Sequence, residues 1–112
     1  MTRLAGDSAR SQINSRWIIP PAAGGWDVVV FEWELRKAHW TDEHPHIEVN
    51  YVVEGELHVE CDGAHLVAGP GDTISVPAGK RASYFAPVYT RTVGCYGTNA
   101  GVADAFGAYR PI

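Results

Sequence analysis

Between residues 39 and 48 the chain gathers groups that bind cations or move protons: His39, Asp42, Glu43, His44, His46 and Glu48. Three of its five histidines lie there. On a strand, residues at i and i+2 share a face, with Cα atoms about 6.5–7 Å apart. Asp42, His44, His46 and Glu48 share that parity. Two imidazoles so spaced can converge on one ion at bond lengths of about 2.0–2.1 Å. Two histidines and a carboxylate with open positions form the triad of non-haem iron, and also suit zinc, manganese or nickel. The metal-ligand candidates are therefore His44, His46, Glu48 and Asp42. Without a metal, Glu48 and His44 remain an acid/base pair.

One obstacle stands in the way. His44 and Glu48 are four residues apart, about 13 Å along a straight strand, too far to share an ion. The segment must bend, and Pro45 is where a bend or bulge is cheapest. Such a bend can also turn His46 away from the others. Glu48 and Asn50 are polar at alternate positions of a strand whose other face carries Val49, Tyr51 and Val53. If they point inward they mark a pocket, because buried polar groups need partners. The opposite orientation puts Tyr51 and Val53 inside. Trp33, Tyr84 and Tyr96 are candidate walls, with tyrosine hydroxyls to orient a bound molecule. The catalytic candidates are Glu48, His44 and Tyr84; the substrate-binding candidates are Asn50, Tyr84, Tyr96 and Trp33. His58 and His65 read as surface strand residues.

The elements that must hold these groups are strands. Turn signals come densely: Pro20-Pro21, Gly24-Gly25, Pro45, Gly55, Asp62-Gly63, Gly69-Pro70-Gly71, Pro77-Ala78-Gly79, Pro87 and Gly97. The pieces between them are short and rich in Val, Ile, Tyr, Phe, Trp and Thr. Strands are expected at 17–19, 27–37, 47–53, 56–61, 64–67, 73–76, 82–86 and 91–97. Val29, Phe31, Trp33 and Leu35 alternate with Glu32, Glu34 and Arg36, and Leu57, Val59 and Cys61 alternate with Glu56, His58 and Glu60. That period is the mark of antiparallel sheet with one wet face. No convincing helical stripe occurs before residue 100. The expectation is an all-β sandwich or closed barrel over residues 17–112. Residues 1–16 read as a flexible arm or an added edge strand. The tail from Val102 either adds a helical turn or lies across the barrel.

Two stretches carry a family resemblance. Asp42–Glu56 resembles the first motif of the cupin superfamily, in which two histidines one residue apart precede a glutamate and then the glycine of a turn. Gly71–Gly79 resembles the Gly-x5-Pro-x-Gly part of the second. Counting back from Gly55 sets Glu48 on the family glutamate, His44 on the second histidine and Asp42 on the first. The last family ligand falls on Ala82, which cannot bind a metal, and His46 is an extra histidine. The segment Lys80–Arg91 is similar to the ethanolamine-utilisation-type cupins, where that histidine is commonly absent and an aromatic lines the barrel. The resemblance implies a single-domain double-stranded β-helix barrel that dimerises. It implies one of two functions: a divalent-metal-assisted enzyme on a small polar molecule, or a metal-free module that binds or senses a small ligand.

Composition narrows the classes. A chain of 112 residues has room for one core. Nine Lys+Arg against thirteen Asp+Glu give a net charge of −4, the wrong sign for neutralising phosphates, so nucleic acid is not an expected partner. No apolar stretch approaches the roughly 20 residues that cross a bilayer. The first residues lack an apolar signal-peptide centre, and a cytoplasmic location is expected. Cys61 and Cys95 make no disulfide framework and read as small buried hydrophobes, a bridge staying open only if their strands are neighbours.

Overall fold

The structure is a computed structural model and describes residues 12–111. The strands are β1 (Ile13–Ile19), β2 (Val29–Glu43), β3 (Glu48–Gly55), β4 (Leu57–Cys61), β5 (Ala64–Ala68), β6 (Thr73–Val76), β7 (Arg81–Tyr96) and β8 (Phe106–Pro111). Among the described residues there is no helix, and so none long and apolar enough to cross a membrane.

Two long strands organise the rest. β2 and β7 pair antiparallel along their length, with a register shift between Arg36 and Ala38. Their halves at 29–36 and 89–96 build one face, with β1 outside β2, β3 outside β7 and β6 beyond β3. Their halves at 38–43 and 81–86 build the other, with β8 outside β2, β4 outside β7 and β5 beyond β4. This is the two-faced, all-β arrangement of a double-stranded β-helix, as expected.

The register shift decides what points inward. Lys37 has a φ of 47°, a left-handed conformation that breaks the alternation of β2. Before it, the odd-numbered Val29, Phe31, Trp33 and Leu35 are buried; after it, the even-numbered Ala38 and Asp42 are. The core is Leu35, Val52, Leu57, Val59, Ala82, Tyr84 and Ala86, with Ile74 and Val76 from β6. Gly55, at a φ of 80°, closes the turn from β3 to β4, and a Cβ there would overlap the Tyr89 carbonyl. Only glycine meets both demands.

Several boundaries differ from expectation. The strands expected at 82–86 and 91–97 are one, β7, because Pro87 sits at the register shift, where its missing N–H breaks no ladder bond. β2 runs six residues past the expected end at 37, to Glu43. β1 begins at Ile13 as an edge strand on β2, so ordered structure starts before residue 17; residues 1–11 of the expected arm lie outside the described residues. The tail adds no helical turn but lies along β2 as strand β8. Cys61 and Cys95 are half-buried and free. Cys61 sits opposite Ala64 and Ala82, and Cys95 opposite Val30 and Val49.

Candidate functional site

The bend that the spacing demanded is present. β2 ends at Glu43 and β3 starts at Glu48, with Pro45 in the connection. Gly79 N–H donates to the His44 carbonyl (2.8 Å) and Gly97 N–H to the Ile47 carbonyl (3.0 Å), which pins both ends of the loop. The folded-back chain brings His44 Nε2 within 2.9 Å of Asp42 Oδ2 and 3.3 Å of Glu48 Oε1. All three residues are more than nine-tenths buried.

Each carboxylate is held from behind. Trp40 Nε1–H donates to Asp42 Oδ2 (2.8 Å). The Tyr84 hydroxyl donates to Glu48 Oε1 (3.0 Å), and Asn50 Nδ2–H to Glu48 Oε2 (3.1 Å). Trp33 Nε1–H in turn donates to Asn50 Oδ1 (3.0 Å). On the other side of the ring, His44 Nδ1 lies 2.7 Å from Asp104 Oδ1. His44 Nε2 is the exception. Two carboxylates flank it as close ion pairs, but neither lies along the N–H direction of a well-aligned hydrogen bond. A buried atom so poorly aligned with its neighbours has the chemistry to take a cation in place of its proton. One donor atom each from Asp42, His44 and Glu48 lies within 4.8 Å of the others, a span that suits a metal.

The electrostatics favour positive charge. Burial works against an imidazolium at His44, but the close carboxylates of Asp42 and Glu48, and then Asp104, outweigh it, and its pKa is pushed up to about 11. Tyr84 and Tyr96 are held well above the usual tyrosine range, by burial first and then by Glu48 and Asp42. Both hydroxyls stay protonated and can donate.

Glu48, Asp42, Trp33, Tyr84, Tyr96 and Phe31 line a cavity of about 260 Å³, walled on one side by Ile13, Ser15, Arg16 and Trp17 of β1. A second, more open cavity of about 470 Å³ adjoins it and is lined by Asp42, His44, His46, Tyr96, Trp26 and Asp104. Asp42, Trp17, Trp40 and Tyr96 border both.

Of the residues singled out from sequence, Asp42, His44, Glu48, Asn50, Trp33, Tyr84 and Tyr96 come together. His46 is buried but turns away from Asp42 and Glu48. It stacks on His44 (4.7 Å between centroids, 17° between planes), and its Nε2 lies 4.0 Å from Asp104 Oδ1. Ala82 sits opposite Asp42 on β7 and adds no donor. Two participants escaped sequence reasoning. Trp40 shares the parity of Asp42 and could have been found from it. Asp104 could not, being 60 residues from its partner His44. It is placed by Ala105 N–H donating to the Glu43 carbonyl (2.9 Å) and by the Asn99 side chain bracketing Val102.

Residues 30–87 match the cupin domain family. Over 66 residues the chain is 32% identical to acetate kinase EutQ of Salmonella typhimurium, a stretch that covers 59% of this chain and 25% of that protein. The chain thus spans about a quarter of that relative's length. Among solved structures, the EutQ protein of Clostridium difficile has a TM-score of 0.67 at 19% identity, covering 76% of this chain and 61% of that one. Ectoine synthase from P. lautus has a TM-score of 0.69 at 18% identity, covering 91% and 80%. At such identities these structures are alike in fold alone. The match over residues 30–87, on a barrel whose motif positions 42, 44 and 48 converge inside, gives the family: the chain belongs to the cupins and is loosely related to EutQ.

Proposed function

We propose that this chain is a small metal-assisted enzyme acting on a small polar molecule. Asp42, His44 and Glu48 would hold a divalent cation, and the adjoining aromatic cavity would seat the substrate. The observation that carries this reading is the convergence of His44 Nε2 on Asp42 Oδ2 and Glu48 Oε1, at 2.9 Å and 3.3 Å, with all three residues more than nine-tenths buried. Two carboxylates and one imidazole lean towards harder ions, so manganese or iron suits the set better than zinc or nickel. When bound, such an ion polarises a substrate oxygen as a Lewis acid.

The chain's own groups do the rest. Asp104 accepts a hydrogen bond from His44 Nδ1–H, so Nε2 is the nitrogen that would give up its proton and face the ion. Trp33 orients Asn50, and Asn50 orients Glu48. Tyr84 and Tyr96 present protonated hydroxyls, and Phe31, Trp33 and Trp17 keep water out. Glu48 is the group placed to take or return a proton. The reading includes a homodimer through β1, an edge strand whose Trp17, Ile18 and Ile19 are about half exposed, and a cytoplasmic location where the two thiols stay reduced.

Elemental analysis of protein purified without an affinity tag tests the reading. Near-stoichiometric metal that is lost in His44→Ala and Glu48→Gln supports it. Substoichiometric metal that His44→Ala leaves unchanged ends it. The remaining function is then a metal-free module in which Glu48, Tyr84 and Tyr96 bind a small ligand and His44 supplies the counter-charge. A thermal-shift panel of amines, acids and sugars would search for that ligand.

A further inference from the structure

We propose a second metal position on the far side of the His44 ring, formed by His44 Nδ1, His46 Nε2 and Asp104 Oδ1. It takes softer cations such as zinc, in competition with the Asp42–His44–Glu48 position.

The three donor atoms lie within 4.8 Å of one another, and both histidines are more than nine-tenths buried. Asp104 is half exposed beside the open cavity, which gives an ion a way in. His46 supplies the second observation. Its Nδ1 lies 3.2 Å from the Ile47 carbonyl. Only an N–H can face a carbonyl oxygen, so Nδ1 carries a proton and Nε2 is the nitrogen left to bind an ion. Nε2 faces the Asp104 carboxylate across 4.0 Å. Tetrahedral ligands about 2.0–2.1 Å from an ion are about 3.3–3.4 Å apart, so the 2.7 Å and 4.0 Å separations of Asp104 Oδ1 from the two rings even out by shifts of about 0.7 Å of this half-exposed carboxylate. Tyr96 packs against both rings, at 4.7 Å from His44 and 4.4 Å from His46, and holds them in place.

Donor chemistry separates the two positions. Two imidazoles and one carboxylate are softer than one imidazole and two carboxylates, and favour zinc where the other set favours manganese. The ring makes them exclusive. When Nε2 binds an ion, the Nδ1 proton faces Asp104; when Nδ1 binds, the Nε2 proton faces Asp42 and Glu48. The carboxylates of either position are the hydrogen-bond acceptors that orient the ring for the other. The two histidines and a carboxylate expected from the sequence are thus assembled with Asp104, and not Glu48, as the acid.

The test uses the full, untagged, metal-free chain with zinc or manganese salts alone. Zinc-edge X-ray absorption of the wild type should count two imidazole nitrogens per zinc; one or none overturns the proposal. By calorimetry, Asp104→Asn and His46→Gln should each weaken zinc tenfold or more while manganese stays within threefold, and Glu48→Gln should do the reverse. Equal loss of both metals in Asp104→Asn, or unchanged zinc affinity in His46→Gln, overturns it. A two-imidazole zinc with no manganese binding supports this position and removes only the inner one. Thermal melts check that the variants fold, and the absorption count needs no variant.

Discussion

The Tyr84 hydroxyl and the His44 imidazole meet on one atom, Glu48 Oε1, at 3.0 Å and 3.3 Å. The tyrosine comes from β7 and the carboxylate from β3, so the site ties together strands that are not neighbours at those positions. Tyr84→Phe keeps the ring and removes the donor. Losing a buried hydrogen-bond partner costs about 1–3 kcal/mol, and in a domain of this size each kcal/mol lowers Tm by roughly 4–8 °C. Calorimetry of the metal-free protein measures it; an unchanged Tm would show that the hydroxyl bond contributes nothing.

His44 gives a pH signature. Its folded pKa, pushed up to about 11, lies above its ordinary 6.5, because the carboxylates around it outweigh burial. A raised value stabilises the folded chain fully below 6.5, and the contribution drains away as pH climbs through about 11. The Tm gap between metal-free wild type and His44→Gln should therefore be largest near pH 6 and close steadily towards about pH 10. Tyrosines held above their usual range weaken both proteins in strong alkali, so the gap is the quantity to follow. A gap that widens with pH contradicts the ion-pairing described. Manganese must displace the same proton, and its affinity should climb over that range.

Gly94 tests how tightly the cavity wall is packed. A Cβ there would overlap the Phe31 ring and approach Asn50 Oδ1 to 2.8 Å. Overpacking of this kind costs about 1–3 kcal/mol. Gly94→Ala should lower Tm and abolish any ligand-induced thermal shift, since Phe31 and Asn50 must move. Wild-type stability with an intact shift would mean that the wall yields freely.

The half-exposed Trp17, Ile18 and Ile19 on the edge strand β1 are the surface proposed to pair two copies. Ile18→Glu places a charge at its centre, which edge strands use to prevent pairing. Sedimentation velocity should find a dimer in the wild type and a monomer in the variant. A wild-type monomer refutes the dimer, and a dimer that survives the charge moves the contact elsewhere.

Much of the barrel was legible because alternation and turn residues are local. The inward set Val29, Phe31, Trp33 and Leu35 could be read directly. The convergence of His44 with Glu48 was legible only as a condition: sharing an ion across that spacing needs a bend, and Pro45 is where one is cheapest. What could not be read was non-local. The union of two expected strands across Pro87 depends on the partner strand supplying a matching irregularity at Lys37. The tail's conformation depends on the open edge of β2 at 38–43, to which β8 adds. Asp104 enters by way of that tail, so no pattern near His44 announces it.

The left-handed residue at position 37 acts like a phase setting for everything downstream on β2. Deleting that one residue while the rest of the ladder stays put would rotate the following side chains by half a period. His39, Thr41 and Glu43 would then look inward, with Asp42 and His44 facing solvent. An inventory of chemistry now kept on the outside is thus stored one position out of step with the inside, and a single codon separates the two.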